Sequence, residues 1–161
     1  MSVEPYQWLL AHAEALGLPP AQIGPASVDL TLYPMVKCYE KSNYIYELDI
    51  PHNANFLFRP GVFFLCSTNE TIRVPDTHCA LVQMRSTLAR RGLGHKMAGF
   101  IDPGFWGQIT LELTADIPVD VAYKERIVQI VYMRLTEYTQ QPYQGQYQGQ
   151  QGPTAAPPLL S

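Results

Sequence analysis

Gln108-Ile109-Thr110-Leu111-Glu112-Leu113 alternates polar and apolar side chains with the two-residue period of a β-strand. The odd positions predict a buried face, and Gln108, Thr110 and Glu112 share the opposite one. Glu112 is therefore expected to project from a strand into a polar space. The same strand-length punctuation recurs in the apolar runs Val62 to Leu65, Ala80 to Met84 and Ile127 to Leu135, each bounded by turn residues. Fourteen prolines and eleven glycines in 161 residues favour many turns over long helices. The predicted fold is mainly β, in one domain, because a second core would leave each half unusually small.

Just upstream, Gly99-Phe100-Ile101-Asp102-Pro103-Gly104-Phe105-Trp106-Gly107 surrounds one carboxylate with glycine and proline, which predicts a sharp turn holding Asp102 at a hairpin tip. Taken alone, Asp102 could as well satisfy its own turn amides, and Glu112 could be an ordinary exposed strand residue. Two carboxylates a few residues apart make an acid–base site worth weighing. Further upstream, Arg85-Ser86-Thr87-Leu88-Ala89-Arg90 sets two guanidiniums and two hydroxyls after an apolar strand. Forked donors of this kind suit phosphate oxygens. A solvated basic turn is an equal reading of the same composition.

Toward the amino end, Tyr6, Leu9, Leu10, Ala13 and Leu16 recur at helical spacing. Ser2 is the expected cap, Pro5 lies in the first turn, and Gly17 with Pro19 and Pro20 supplies the stop. After residue 138 the composition turns to Tyr, Gln, Gly and Pro, with too few large aliphatic residues for a core. Residues 1–138 are thus expected to form the β domain and 139–161 a flexible tail or lid.

Several function classes are disfavoured. A formal net charge of -3 with no long run of like charges does not suit a surface that neutralises a nucleic-acid backbone. No stretch approaches a membrane span, and three widely spaced cysteines without a leading apolar segment predict a reducing cytoplasm. Zinc nucleobase deaminases pair His-x-Glu with Pro-Cys-x-x-Cys, and neither occurs here. Adjacent His78 and Cys79 lack partners for a metal site or triad, and no Gly-x-x-x-x-Gly-Lys-Ser/Thr loop is present.

The blocks Arg85–Arg90, Ala98–Phe105 and Ile109–Leu113, in this order and spacing, resemble the signature blocks of dCTP deaminases. Pro25-Ala26-Ser27-Val28-Asp29-Leu30 is similar to the amino-terminal block of that family, and Tyr147–Thr154 to its nucleotide-closing segment. The resemblance implies a distorted β-barrel related to the dUTPases, assembled as a homotrimer with active sites between subunits. Glu112 would be the general base and acid that activates water at the pyrimidine C4, with Ser86 and Arg90 orienting the site. Segment 85–90, including Thr87, Leu88 and Ala89, would contact the substrate. Asp102 would hold the deoxyribose hydroxyl and help activate water for triphosphate cleavage. Thr110 and Leu111 would line the base pocket through backbone groups, and Gln129, Tyr143, Gln146 and Gln150 would lie near the triphosphate. Magnesium would be bound through the phosphates, with no catalytic zinc.

The expected reaction is hydrolytic deamination of dCTP to dUTP, or to dUMP if pyrophosphate is also released. Three departures from the family pattern stand out: Met97, preceded by Lys96, where threonine is usual; Gln146 in place of a phosphate-contacting lysine; and Tyr123-Lys124-Glu125 in place of a Pro-Gly turn. They keep two rivals open, a dUTPase without deaminase activity and a non-catalytic nucleotide-binding trimer.

Overall fold

A computed structural model describes residues 2–40, 45–96 and 98–157. In chain order the strands are β1 (Ser2–Val3), β2 (Val28–Thr31), β3 (Met35–Tyr39), β4 (Ile45–Asp49), β5 (Asn55–Phe58) and β6 (Phe63–Arg73). They continue as β7 (His78–Met84), β8 (Leu93–His95), β9 (Phe100–Ile101), β10 (Trp106–Ala115), β11 (Val119–Ala122) and β12 (Arg126–Arg134). Among the described residues two α-helices interrupt them, α1 (Tyr6–Leu16) and the single turn α2 (Ser86–Ala89), with a 3-10 turn at Pro20–Gln22. The fold is mainly β, as the strand periods predict, and no strand or helix follows Arg134 among the described residues.

The strands form three antiparallel sheets. In one, β12 pairs with β7 along one edge and with β2 and β1 along the other, and β9 extends the sheet beyond β7. The second runs β4-β3-β6-β10-β8, and the third is the pair β11-β5. Together they wrap one core as a distorted barrel, with Tyr132 of β12, Phe58 of β5, Phe64 of β6 and Leu113 of β10 all buried in it. Edge-on contacts between Phe56, Phe58 and Phe64 close one end. Cys38, Cys66 and Cys79 are free and buried, and burial pushes the Cys66 thiol well up from its ordinary value.

The amphipathic pattern of α1 buries Leu9, Ala13 and Leu16 and leaves Tyr6 and Leu10 exposed. Gly17 ends the helix in the left-handed region at φ 69°, where its N–H bonds Ala13 and Glu14 carbonyls. Ser2 does not cap the helix. It is drawn into β1 opposite Arg134, and Pro5 takes the cap position without a side-chain bond. A second correction concerns Asp102. Because β9 pairs with β7 while β10 pairs with β6 and β8, the Pro103-Gly104 turn is a corner where the chain changes sheets, not a hairpin tip. The Tyr123-Lys124-Glu125 turn holds Lys124 at φ 55° and is closed by the Glu125 carboxylate, which accepts from the Ala122 N–H at 2.8 Å. Met97 lies outside the described residues.

Glu4 ties the amino end to the sheet. Its buried carboxylate accepts from His78 Nε2 at 3.0 Å and from Arg134 Nε at 2.8 Å. The His78 Nδ1 on the far side of the ring lies 2.8 Å from the Thr77 hydroxyl oxygen, so both ring nitrogens have partners. Burial alone would raise the Glu4 carboxyl, but the His78 and Arg134 contacts outweigh it and hold the group below its ordinary value.

Two outcomes are expected. Any Cβ at position 17 would collide with the Thr71 carbonyl oxygen while occupying a positive φ, so Gly17→Ala should lower unfolding free energy in urea by roughly 2 kcal/mol or more. For Glu4, whose native value is depressed, the stability it contributes is present above the ordinary 4.5 and is lost as pH falls below it through the lowered native value. Urea melts should find Glu4→Gln less stable than the parent at neutral pH, with the gap narrowing on acidification below that point.

Candidate active site

Strand β10 brings the proposed chemistry together. Its alternation buries Leu111 and Leu113 and turns Thr110 and Glu112 into a cavity of about 620 Å³. Asp102 at the sheet-changing corner and Tyr143 and Gln150 of the tail line the same cavity. Tyr39, Phe63 and Leu65 supply an apolar wall, with Leu65 directly opposite Glu112 in the β6–β10 register. The cavity thus combines apolar side chains of β3 and β6 with the carboxylates of Glu112 and Asp102 and the Gln150 amide.

Glu112 has a partner that sequence reasoning missed. His95, on the three-residue strand β8, places Nε2 3.2 Å from Glu112 Oε2. The His95 side chain is only 5% exposed and that of Glu112 27%, so the pair faces the cavity through the carboxylate. The ring N–H orients one carboxylate oxygen and leaves the other for a water or substrate. His95 was hidden because Leu93-Gly94-His95 is too short to display a period.

Main-chain direction matters beside it. The Lys96 N–H donates to the Glu112 carbonyl at 2.9 Å, so the Glu112 backbone faces the β8 edge, and by the strand period so does that of Thr110. The tail occupies this same edge further along: Gln108 N–H donates to Gln150 O at 3.0 Å, and Gly149 N–H to Trp106 O at 2.8 Å. Thr110 thus lies in the gap between β8 and the tail, where its backbone groups can read a ligand edge. Leu111, by the same alternation, turns its backbone toward β6 and its side chain into the core, so it does not face the cavity.

Gln108 is not on an open polar face as its alternation predicts. A register irregularity between Gln108 and Thr110 and the overlying tail bury it. Its amide donates to the Asn69 carbonyl at 3.1 Å and accepts from the Gly152 N–H, while Gln150 Nε2 donates to the Gln108 carbonyl at 2.8 Å. Gln148 bridges in the same way, accepting from Trp106 N–H at 3.1 Å and donating to Gly104 O at 2.9 Å. The tail is therefore held by glutamine amides on main-chain groups, and Tyr143 packs edge-on against Phe105. Gln146 is exposed on a turn and takes no part.

Segment 85–90 is elsewhere. Ser86, Thr87 and Ala89 are exposed on α2 and Arg90 at its C-cap, Leu88 is in the core, and none of them lines the cavity within this chain. Arg85 is held by Asp29, and Gln129 points outward from β12 near them. The chain thus carries a pair of carboxylates, Glu112 and Asp102, at the cavity and a separate arginine cluster around Arg85 and Arg90. Among the described residues no cluster of three or more His, Cys, Asp or Glu side chains could hold a metal ion.

A family model described as dCTP deaminase-like matches residues 9–135. A dUMP-forming dCTP deaminase of Sulfurihydrogenibium is 37% identical over 148 residues, covering 84% of this chain and 82% of that protein. One of Pseudarthrobacter chlorophenolicus is 37% identical over 157 residues, with 85% and 82% covered. The solved 2'-deoxycytidine 5'-triphosphate deaminase of Agrobacterium tumefaciens superposes with a TM-score of 0.73 over 85% of this chain at 15% identity, which establishes the fold; this chain spans 49% of that one.

Gln108→Ala should release the tail. The Gly152 N–H, buried beneath it, would lose its acceptor, at a cost of about 1–3 kcal/mol. Hydrogen exchange should then register faster exchange at Gly152 and Gly149 while amides of β12 keep their protection.

Proposed function

The chain belongs to the dCTP deaminase family, and on that premise we propose that it deaminates dCTP by hydrolysis and releases pyrophosphate to give dUMP. The observation that carries this reading is the His95-backed Glu112 carboxylate in a cavity shared with Asp102. Water adds to the pyrimidine C4 as Glu112 takes its proton. Glu112 then returns the proton to the departing amino group, and ammonia leaves a 4-oxo pyrimidine. Thr110 main-chain groups would read the base edge, and Tyr39, Phe63 and Leu65 would pack on its face, a reading that their shared cavity supports.

Asp102 lies on the exposed corner, in surroundings unlike those of Glu112, so the two carboxylates can serve different steps. In the second step it orients a water for attack on the α-phosphorus, and pyrophosphate departs. Magnesium bound to the triphosphate would neutralise its charge, and Asp102 is a cavity carboxylate that would hold such an ion or its waters.

The separation of the two half-sites supports a homotrimer in which Arg85, Ser86, Arg90 and Gln129 of one subunit meet the Glu112 cavity of another. No helix among the described residues is long and apolar enough to cross a membrane. We assign the protein to the cytoplasm, a reading that three free buried thiols favour.

Glu112→Gln should cut ammonia release at least ~100-fold with the assembly intact. Asp102→Asn should spare ammonia release and slow pyrophosphate release, so that dUTP accumulates on chromatography. His95→Ala should lower kcat on the order of 10- to 100-fold and alter its pH profile, with partial rescue by His95→Gln, which keeps a donor. Full activity in Glu112→Gln would overturn the assignment.

A further inference from the structure

The cation half-site is larger than segment 85–90. Asp29, on β2 with its side chain 17% exposed, is ion-paired through Oδ1 with Arg85 Nε (3.2 Å) and accepts at Oδ2 from Arg126 Nη1 (3.5 Å). Arg85 Nη1 also reaches the Arg126 carbonyl at 3.5 Å, and its main-chain N–H bonds the Ile127 carbonyl at 3.1 Å. One carboxylate of the first sheet therefore gathers two guanidiniums from different parts of the chain.

We propose that Asp29 is a positioning residue that aims Arg85 at the triphosphate, and that Arg126, tethered to the same carboxylate, is a further triphosphate-binding residue. The inference rests on the reading that segment 85–90 grips phosphate. Asp29 engages the Nε edge of Arg85 and leaves Nη2 without a partner among the described residues, so the fork's outer donors stay available. Arg126 is held at the longer distance and its side chain is 47% exposed, so exchanging one Asp29 oxygen for a phosphate oxygen costs little.

Charge balance points the same way. Arg91 is offset by Glu125 at 3.6 Å, and the Arg90 guanidinium has no carboxylate partner among the described residues. Four arginines thus face two carboxylates, and the patch keeps a positive surplus for an anion. A shared carboxylate restrains two flexible side chains before the ligand arrives, which reduces the entropy lost on binding.

The sign of one substitution separates positioning from plain electrostatics. Removing the Asp29 charge makes the patch more positive, so a purely coulombic patch would bind a polyanion more tightly in Asp29→Asn. Positioning predicts the reverse. Calorimetric titration of the full chain with inorganic tripolyphosphate should give about tenfold weaker binding for Asp29→Asn and for Arg126→Gln. Asp29→Asn should add nothing further in an Arg85→Gln background, and Asp29→Glu should restore part of the loss. With dCTP, Asp29→Asn should raise KM several-fold and leave kcat within about twofold. Unchanged or tighter tripolyphosphate binding in Asp29→Asn, unchanged binding in Arg126→Gln, or no binding by the parent protein would each overturn the inference. If the parent binds tripolyphosphate and the variants lose it while dCTP is not deaminated, the anion site stands and the reaction assignment falls.

Discussion

Main-chain groups of an interior strand must be paired on both edges, and β10 meets this demand in three ways. Strand β6 covers one edge over most of its length. On the other, β8 covers Leu113 to Ala115, the Lys96 N–H takes the Glu112 carbonyl, and the tail takes Trp106 and Gln108. The cavity sits where these partners leave a gap, beside Thr110. Site, tail placement and the His95 contact therefore all follow from how one strand completes its hydrogen bonds.

Much of this was legible in the sequence. The period of residues 108 to 113 gave the strand, its buried face and the direction of Glu112, because a two-residue alternation is a local property. Gly17 announced the end of α1 for the same reason: a left-handed residue at a helix end favours glycine, which has no Cβ to strain. What escaped depends on pairing between distant segments. His95 lies on a strand too short to carry a pattern, and Asp102 was expected in a hairpin because nothing local says that β9 and β10 join different sheets. Ser2 was read as a cap, although the free edge of β12 claims it first. That segment 85–90 and Glu112 stand apart within a chain is likewise a property of the pairing and of no local pattern.

That separation organises the electrostatics. The carboxylates of the proposed chemistry and the guanidiniums that would grip phosphate lie in different parts of the chain, and among the described residues Glu112 is not paired with an arginine. Instead its partner is an imidazole, which orients a carboxylate with a directional N–H and without a permanent opposing charge. A catalytic acid–base held in this way keeps its second oxygen free.

The tail carries a final consequence, for how the sequence can drift. Its contacts with the domain run largely through backbone groups, a few glutamine amides, Tyr143 and Tyr147, while Gly149 at φ 72° and Gly152 at φ 66° set its path. Exposed Gln144 and Gln146 make no such bonds among the described residues. A repetitive, low-information segment can therefore diverge widely between relatives at those exposed positions, provided that the glutamine spacing of 148 and 150 and the two glycines persist. Ancestry will be hard to trace there by residue identity and easier to trace by that spacing.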